Sequence, residues 1–252
     1  MSTVVAITGK GGVGKTTLAA LLVRRLVERG RRPVLAVDAD PNTSLDAALG
    51  VRLQHTLGGV REEARQVAGQ GLSAGISKQQ LLELKISECL VEGQDFDFLA
   101  MGRPEGPGCY CYANNVLRAT VKEVANQYPW VVIDNEAGLE NLSRRIAPHV
   151  DLMIMVADPS RRGLETVRRL HALAREMEVT WDRLGLVVNR VRGGREPEEA
   201  EALRAAIGAD MLVTLPDDEV AAEQAERGAT VWDLPAGHPL LEKMERLLEP
   251  VK

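Results

Sequence analysis

The stretch GKGGVGKTT, residues 9–17, decides how the rest of the chain is read. It satisfies the spacing G-x-x-x-x-G-K-[ST] with Gly9, Gly14, Lys15 and Thr16. A strand-like run, VVAIT at residues 4–8, precedes it. A helical pattern at residues 16–29 follows, with Leu18, Leu21, Leu22 and Leu26 at helical spacing. The glycines, Gly9, Gly11, Gly12 and Gly14, let the backbone fold, through Val13, into a nest of N–H groups around phosphate oxygens. The opening helix adds a favourable field for the anion. Lys15 is placed to reach the β- and γ-phosphates and Thr16 to offer its hydroxyl to Mg²⁺, with Thr17 completing the cofactor-binding set. An ordinary glycine-rich turn is the alternative, and the strand before and helix after disfavour it.

Outward from this loop, short β-rich runs alternate with helical patterns. A second strand at residues 34–37 leads directly into Asp38, and further strands are expected at 96–101, 130–133, 152–156, 184–188 and 211–215. Helices are expected at 77–91, 113–127, 160–177 and 196–207, with 217–225 and 240–248 closing the chain. This alternation implies an α/β fold, a mostly parallel sheet with helices on both faces. No repeat, low-complexity tract or linker divides residues 1–252, so one domain is expected. Residues 42–75 hold no strong strand and several glycines, and read as an irregular, mobile insertion.

The bulk composition agrees. The hydrophobic fraction of the 252 residues is 45% with only 3% aromatic, a mix of Ala, Val and Leu suited to helices packed on a buried parallel sheet. A net charge of −5 gives no basic excess for general nucleic-acid binding. The start, MSTVVAITGK, lacks a basic leader and reads as a first strand, and no apolar run reaches membrane-span length, so no membrane association is expected. Three cysteines, Cys89, Cys109 and Cys111, fit a reducing, cytoplasmic setting.

The acids fall at strand ends. VLAVDADPN places Asp38 and Asp40 just past the second strand, and WVVIDNEAG places Asp134 at the end of a strongly apolar one, a Walker B pattern suited to holding Mg²⁺ through water. Asn189 ends the strand LGLVVNR. Guanine-specific sites follow such an asparagine with N-K-x-D, whose aspartate accepts from guanine; here the fourth position is Arg192, and a cation cannot accept those bonds. ATP is therefore favoured over GTP. Asn189 is suited to the adenine edge, and LPDD, with Pro216 and Asp217, is placed to line the base pocket. Asp217 as a plain helix N-cap is the alternative.

Lys10 is an additional lysine in the loop, giving K-G-G-x-G-K-T. In this the chain resembles the deviant Walker A group of dimerising P-loop ATPases, which includes the MinD and ParA proteins, the nitrogenase iron protein and CO dehydrogenase maturation factors. The resemblance implies a P-loop NTPase fold and Mg²⁺-dependent ATP hydrolysis in a homodimer. It also implies that Lys10 reaches the partner's nucleotide, that Asp40 belongs to a first switch positioning the attacking water, and that Gly138 lets a second switch move.

The segment GPGCYCYANN, residues 106–115, holds Cys109 and Cys111. In an extended backbone the two thiols share a face, roughly 6–7 Å apart. They offer two soft ligands to Zn²⁺, Cu⁺ or Ni²⁺, too few for a closed site unless a symmetric dimer doubles them. Small core cysteines are the alternative, and the favoured reading of Cys89. The nitrogenase iron protein carries a second cysteine after its Walker B aspartate; DNEAGLENLSRR, residues 134–145, has none. The C-x-C pair with DNEAG is instead similar to the CooC family of CO dehydrogenase maturation ATPases, whose motifs recur here in order. That resemblance implies a nickel-handling ATPase, with Ni²⁺ or Zn²⁺ at Cys109 and Cys111 of both subunits and CO dehydrogenase or a related nickel enzyme as client.

Two other readings stay open: a positioning ATPase of the MinD/ParA kind, and an iron–sulfur electron-transfer ATPase. The tail, HPLLEKMERLLEPVK, is amphipathic but carries three charges of each sign, so packing on the domain is expected rather than lipid binding. His55, His149, His171 and His238 are scattered without ligand spacing, and the paired arginines 161–162 and 168–169 read as a solvated helix face.

Overall fold

The computed structural model describes residues 2–59, 87–102, 123–136, 149–194 and 197–249. Among the described residues seven strands, β1 (Thr3–Gly9), β2 (Val34–Asp38), β3 (Phe96–Ala100), β4 (Trp130–Asp134), β5 (His149–Ala157), β6 (Thr180–Val191) and β7 (Met211–Pro216), form one sheet. Their order is β3-β2-β4-β1-β5-β6-β7 and every pairing is parallel. A parallel sheet covered on both faces demands continuous apolar strands. β2 and β4 meet that demand, each buried at all five positions including a terminal aspartate.

Six described helices cover the sheet: α1 (Lys15–Glu28), α2 (Leu45–Leu49), α3 (Arg161–Glu176), α4 (Glu198–Ile207), α5 (Glu219–Glu226) and α6 (Pro239–Leu248). Alternate residues along β1 divide between two cores. Val5 and Ile7 join Leu18, Leu22 and Leu26 of α1 and Leu241, Met244 and Leu247 of α6. Ala6 faces the other way, toward Leu164 and Val167 of α3 and Leu203 of α4. The apolar stripe of α6 is thus spent on the protein's own core, at about 1.5–3 kcal/mol per large side chain buried. Glu245 on α6 pairs with Arg25 of α1 and with Arg29, its C-cap, at 2.9 and 2.7 Å. Among the described residues no helix is long and apolar enough to cross a membrane.

The expected elements that fall on described residues are present with small shifts at their ends. One expectation is corrected: residues 42–75 are not irregular from the start, because α2 occupies Leu45–Leu49. It is one turn and a half long, too short for a periodic apolar signal, and it closes on Gly50 in the left-handed region (φ 72°). The expected helices at 77–91 and 113–127 lie mostly outside the described residues, as do Cys109, Cys111 and Gly138.

Register sets the site. Asp134 of β4 pairs with Ile7 of β1 on one side and Asp38 of β2 on the other, so both acids and the exit of β1 share one row at the carboxyl edge. The chain runs from β1 toward β2 on one side and returns through β5 on the other. That reversal opens a crevice at the carboxyl ends of the central strands.

Candidate functional site

The loop between β1 and α1 is shaped by its glycines. Gly14 takes the N-cap of α1 in the left-handed region (φ 93°), and a Cβ there would collide with Asn189 Nδ2. A Cβ on Gly9 would strike the carbonyl of Val156 on the neighbouring strand. Val13 is buried, and Gly11 and Gly12 form the exposed crest between them. Lys15, only 8% exposed, donates from Nζ to the Lys10 carbonyl at 3.2 Å. Burial pushes its pKa down, opposed by the charges of Asp134, Asp40 and Glu136. A buried cation aimed back into the loop is suited to meet phosphate oxygens. Lys10 itself is exposed. Burial pushes the Asp158 carboxyl up, but the hydroxyl and amide of Ser160 and the nearby Lys10 charge outweigh it and hold it low.

Asp134 is 1% exposed. The Thr16 hydroxyl donates to its Oδ2 at 2.6 Å, while among the described residues Oδ1 is buried without a partner. Burial first, then the charges of Asp38 and Asp40, push its pKa up to about 7 against the Thr16 bond and Lys15. An orphaned buried carboxylate oxygen beside a hydroxyl is a hard-oxygen donor set that fits a divalent cation such as Mg²⁺. Thr16 and Asp134 are the residues that would hold it, and it would supply charge neutralisation at the phosphates.

Asp38 is fully buried but differently employed. Its Oδ1 accepts from Asp40 N at 2.9 Å, and its Oδ2 from Ser44 N at 2.8 Å and Leu45 N at 2.9 Å. It organises the loop that presents Asp40, whose own Oδ1 accepts from Asn42 N at 2.8 Å. Burial pushes the Asp38 pKa up in spite of these amides.

The residues expected around the base come together. Asn189, Pro216 and Asp217 line one cleft with Gly14, Thr17 and Ala221. Asn189 donates from Nδ2 to the Val13 carbonyl at 2.8 Å, so it braces the phosphate loop from two strands away. The N-cap alternative for Asp217 is corrected: the cap of α5 is Asp218, which accepts from Ala221 N at 2.9 Å. Asp217 instead pairs with Arg192 at 3.0 Å, at the exposed mouth of the cleft. The position that a guanine-specific site fills with an acid therefore holds a cation engaged to the cleft wall.

Two further residues of this region carry no motif in the sequence. Ser44 reaches within 3.3 Å of Thr16 Oγ1. Asn135 is 1% exposed and donates from its backbone and side-chain nitrogens to the Ile7 carbonyl at 3.1 and 2.9 Å, locking the end of β4 to β1. Its place directly after Asp134 was the only available signal. Cys89 is fully buried in the core. Among the described residues no group of three or more His, Cys, Asp or Glu side chains could hold a metal ion.

A family model described as "CobQ/CobB/MinD/ParA nucleotide binding domain" matches residues 4–231. An ATP-binding protein of uncharacterised function from Methanocaldococcus jannaschii is 41% identical over 249 residues, 98% of this chain and 98% of its own. The carbon monoxide dehydrogenase accessory protein CooC of Rhodospirillum rubrum is 32% identical over 186 residues, covering 69% of this chain and 70% of its own. Among solved structures, a ParA family ATPase from Chlorobium tepidum superposes with a TM-score of 0.71 at 19% identity, covering 98% of both chains. At that identity the likeness shows the fold alone.

Proposed function

The chain belongs to the CobQ/CobB/MinD/ParA nucleotide-binding family of P-loop ATPases, and from that premise we propose that it is a cytoplasmic maturation factor for the nickel–iron–sulfur centre of CO dehydrogenase or a related nickel enzyme. The observation that carries this reading is the Cys109–Cys111 pair in a chain 32% identical to a CO dehydrogenase accessory protein. Two thiolates from each of two subunits complete a four-sulfur site for Ni²⁺ or Zn²⁺.

In this mechanism the loop amides and Lys15 bind the β- and γ-phosphates. Asn189, Pro216 and Asp217 orient the adenine. Lys10 of each subunit reaches the nucleotide of the other, so two ATP molecules draw the halves together. Asp40 positions the attacking water. After hydrolysis Gly138 allows the second switch to relax, the dimer loosens and the metal ion, the cargo, passes to the client. Softness alone would fill thiolates with copper or zinc, so a nickel role rests on supply by a partner.

A membrane-positioning reading needs an apolar helix face free for lipid, and the tail helix α6 buries that face, with Leu241, Met244 and Leu247 fully covered. An iron–sulfur electron carrier would be brown and absorb in the visible when isolated without air.

The test is metal content per dimer with size measured by light scattering, for wild type and a Cys109→Ser, Cys111→Ser double variant. The expected result is one metal ion per wild-type dimer and none in the variant. Equal content in both would sink the four-thiolate site.

A further inference from the structure

Ser44 stands at the N-cap of α2, where a serine hydroxyl ordinarily accepts from the first free amides of a helix. Among the described residues this one makes no cap bond. The Asp38 carboxylate does the work instead, receiving the amides of Ser44 and Leu45 at 2.8 and 2.9 Å. The Ser44 hydroxyl is thereby released, and it lies 3.3 Å from Thr16 Oγ1. Thr16 gives its only proton to Asp134 Oδ2, so Ser44 is the donor between the two hydroxyls. One lone pair is then left on Thr16 for a cation.

The backbone is bent to bring this about. Thr43 sits at φ 42°, in the left-handed region that a β-branched residue enters only when its surroundings hold it there. Its N–H donates to the Asp40 carbonyl at 3.2 Å. Asp38 Oδ1 meanwhile holds the amide of Asp40 at 2.9 Å. One buried carboxylate therefore clamps both ends of residues 40–44, with Asp40 at one end and the Ser44 hydroxyl at the other.

We propose that Ser44 is a positioning residue for ATP hydrolysis: its hydroxyl ties the loop carrying Asp40 to the Thr16–Asp134 pair, so that filling the pair with a divalent cation and setting Asp40 are coupled. This rests on the ATPase activity and on the fit of that pair to Mg²⁺, and is independent of the cysteines. Coupling of this kind is reciprocal: the factor by which the cation favours the set loop is the factor by which the set loop tightens the cation.

The test titrates MgCl₂ into the protein with fluorescent N-methylanthraniloyl-ADP, for wild type, Ser44→Ala and Ser44→Thr, with a parallel arm in EDTA. In EDTA all three bind the nucleotide within about twofold of one another, because the phosphate cradle is untouched. With magnesium, Ser44→Ala raises the half-saturating Mg²⁺ concentration about fivefold, the scale of one lost hydrogen bond. Ser44→Thr, which keeps the hydroxyl, returns it to within about twofold. In ATP turnover Ser44→Ala lowers kcat more than it raises KM. A wild-type magnesium response in Ser44→Ala, or a Ser44→Thr variant as impaired as Ser44→Ala, overturns the proposal. So does an equal loss of nucleotide affinity with and without magnesium, which would make Ser44 a structural residue of the loop.

Discussion

Asp38 and Asp134 end adjacent strands, pair in register across β2 and β4, and are buried to the same degree, yet their surroundings differ in kind. Asp38 receives three backbone amides. Among the described residues Asp134 receives one hydroxyl and leaves an oxygen buried with no partner. Burial alone explains neither arrangement, since it acts on both. The amides around Asp38 come from the loop that its carboxylate folds, so that acid is spent on architecture. Asp134 sits between β1 and β2, whose backbone groups are committed to the sheet, and its acceptor capacity is left in surplus. An unsatisfied buried carboxylate persists when a ligand completes it in the working state.

Removing the acid meant for the cation should give the largest functional effect. Asp134→Asn is expected to lower the ATPase kcat by about 10²–10³-fold, the scale of losing electrostatic stabilisation at the reacting phosphate, while nucleotide binding in EDTA stays near wild type. Phosphate release and fluorescent-nucleotide titration measure the two. A variant hydrolysing ATP within about threefold of wild type would remove Asp134 from the site. Removing the architectural acid should act on stability instead. Asp38→Ala strands three loop amides, one of them at the start of α2, and is expected to cost about 3 kcal/mol in urea unfolding. If it cost under about 1 kcal/mol, the loop would be held by something other than that carboxylate.

The phosphate loop was legible from its residues because its chemistry is local: glycine positions, a lysine and a hydroxyl within nine residues, bracketed by a strand and a helix. The acids were legible as strand ends, but their division of labour was not. It depends on β2, β4 and β1 being neighbours in that order, which joins residues 38, 134 and 7 in one row. The sequence suits Asn189 to the base, whereas its bond to the Val13 carbonyl requires β6 to lie just beyond β5 from β1. The helix start at Asp218 rather than Asp217 turned on one residue of register at the end of β7, where Asp217 N is held by the Val191 carbonyl. Ser44 was invisible because a serine before a short helix looks like a cap, and only the geometry shows that the cap is supplied by Asp38.

The contrast between the two acids is tested most directly by unfolding wild type and Asp134→Asn from pH 5 to pH 8 without nucleotide or magnesium. The folded-state pKa of Asp134 is raised to about 7, above its unfolded value. The folded protein then holds this proton more tightly than the unfolded chain, so the contribution is present below about pH 4 and is lost as pH rises to about 7. Relative to Asp134→Asn, wild type should lose on the order of 2 kcal/mol between pH 5 and pH 8, with water reaching the ionised carboxylate limiting the loss. At pH 8 Asp134→Asn should therefore be the more stable protein. A constant stability difference across that range, or a less stable Asp134→Asn at pH 8, would contradict the assignment of Asp134 as an acid left incomplete for its cation.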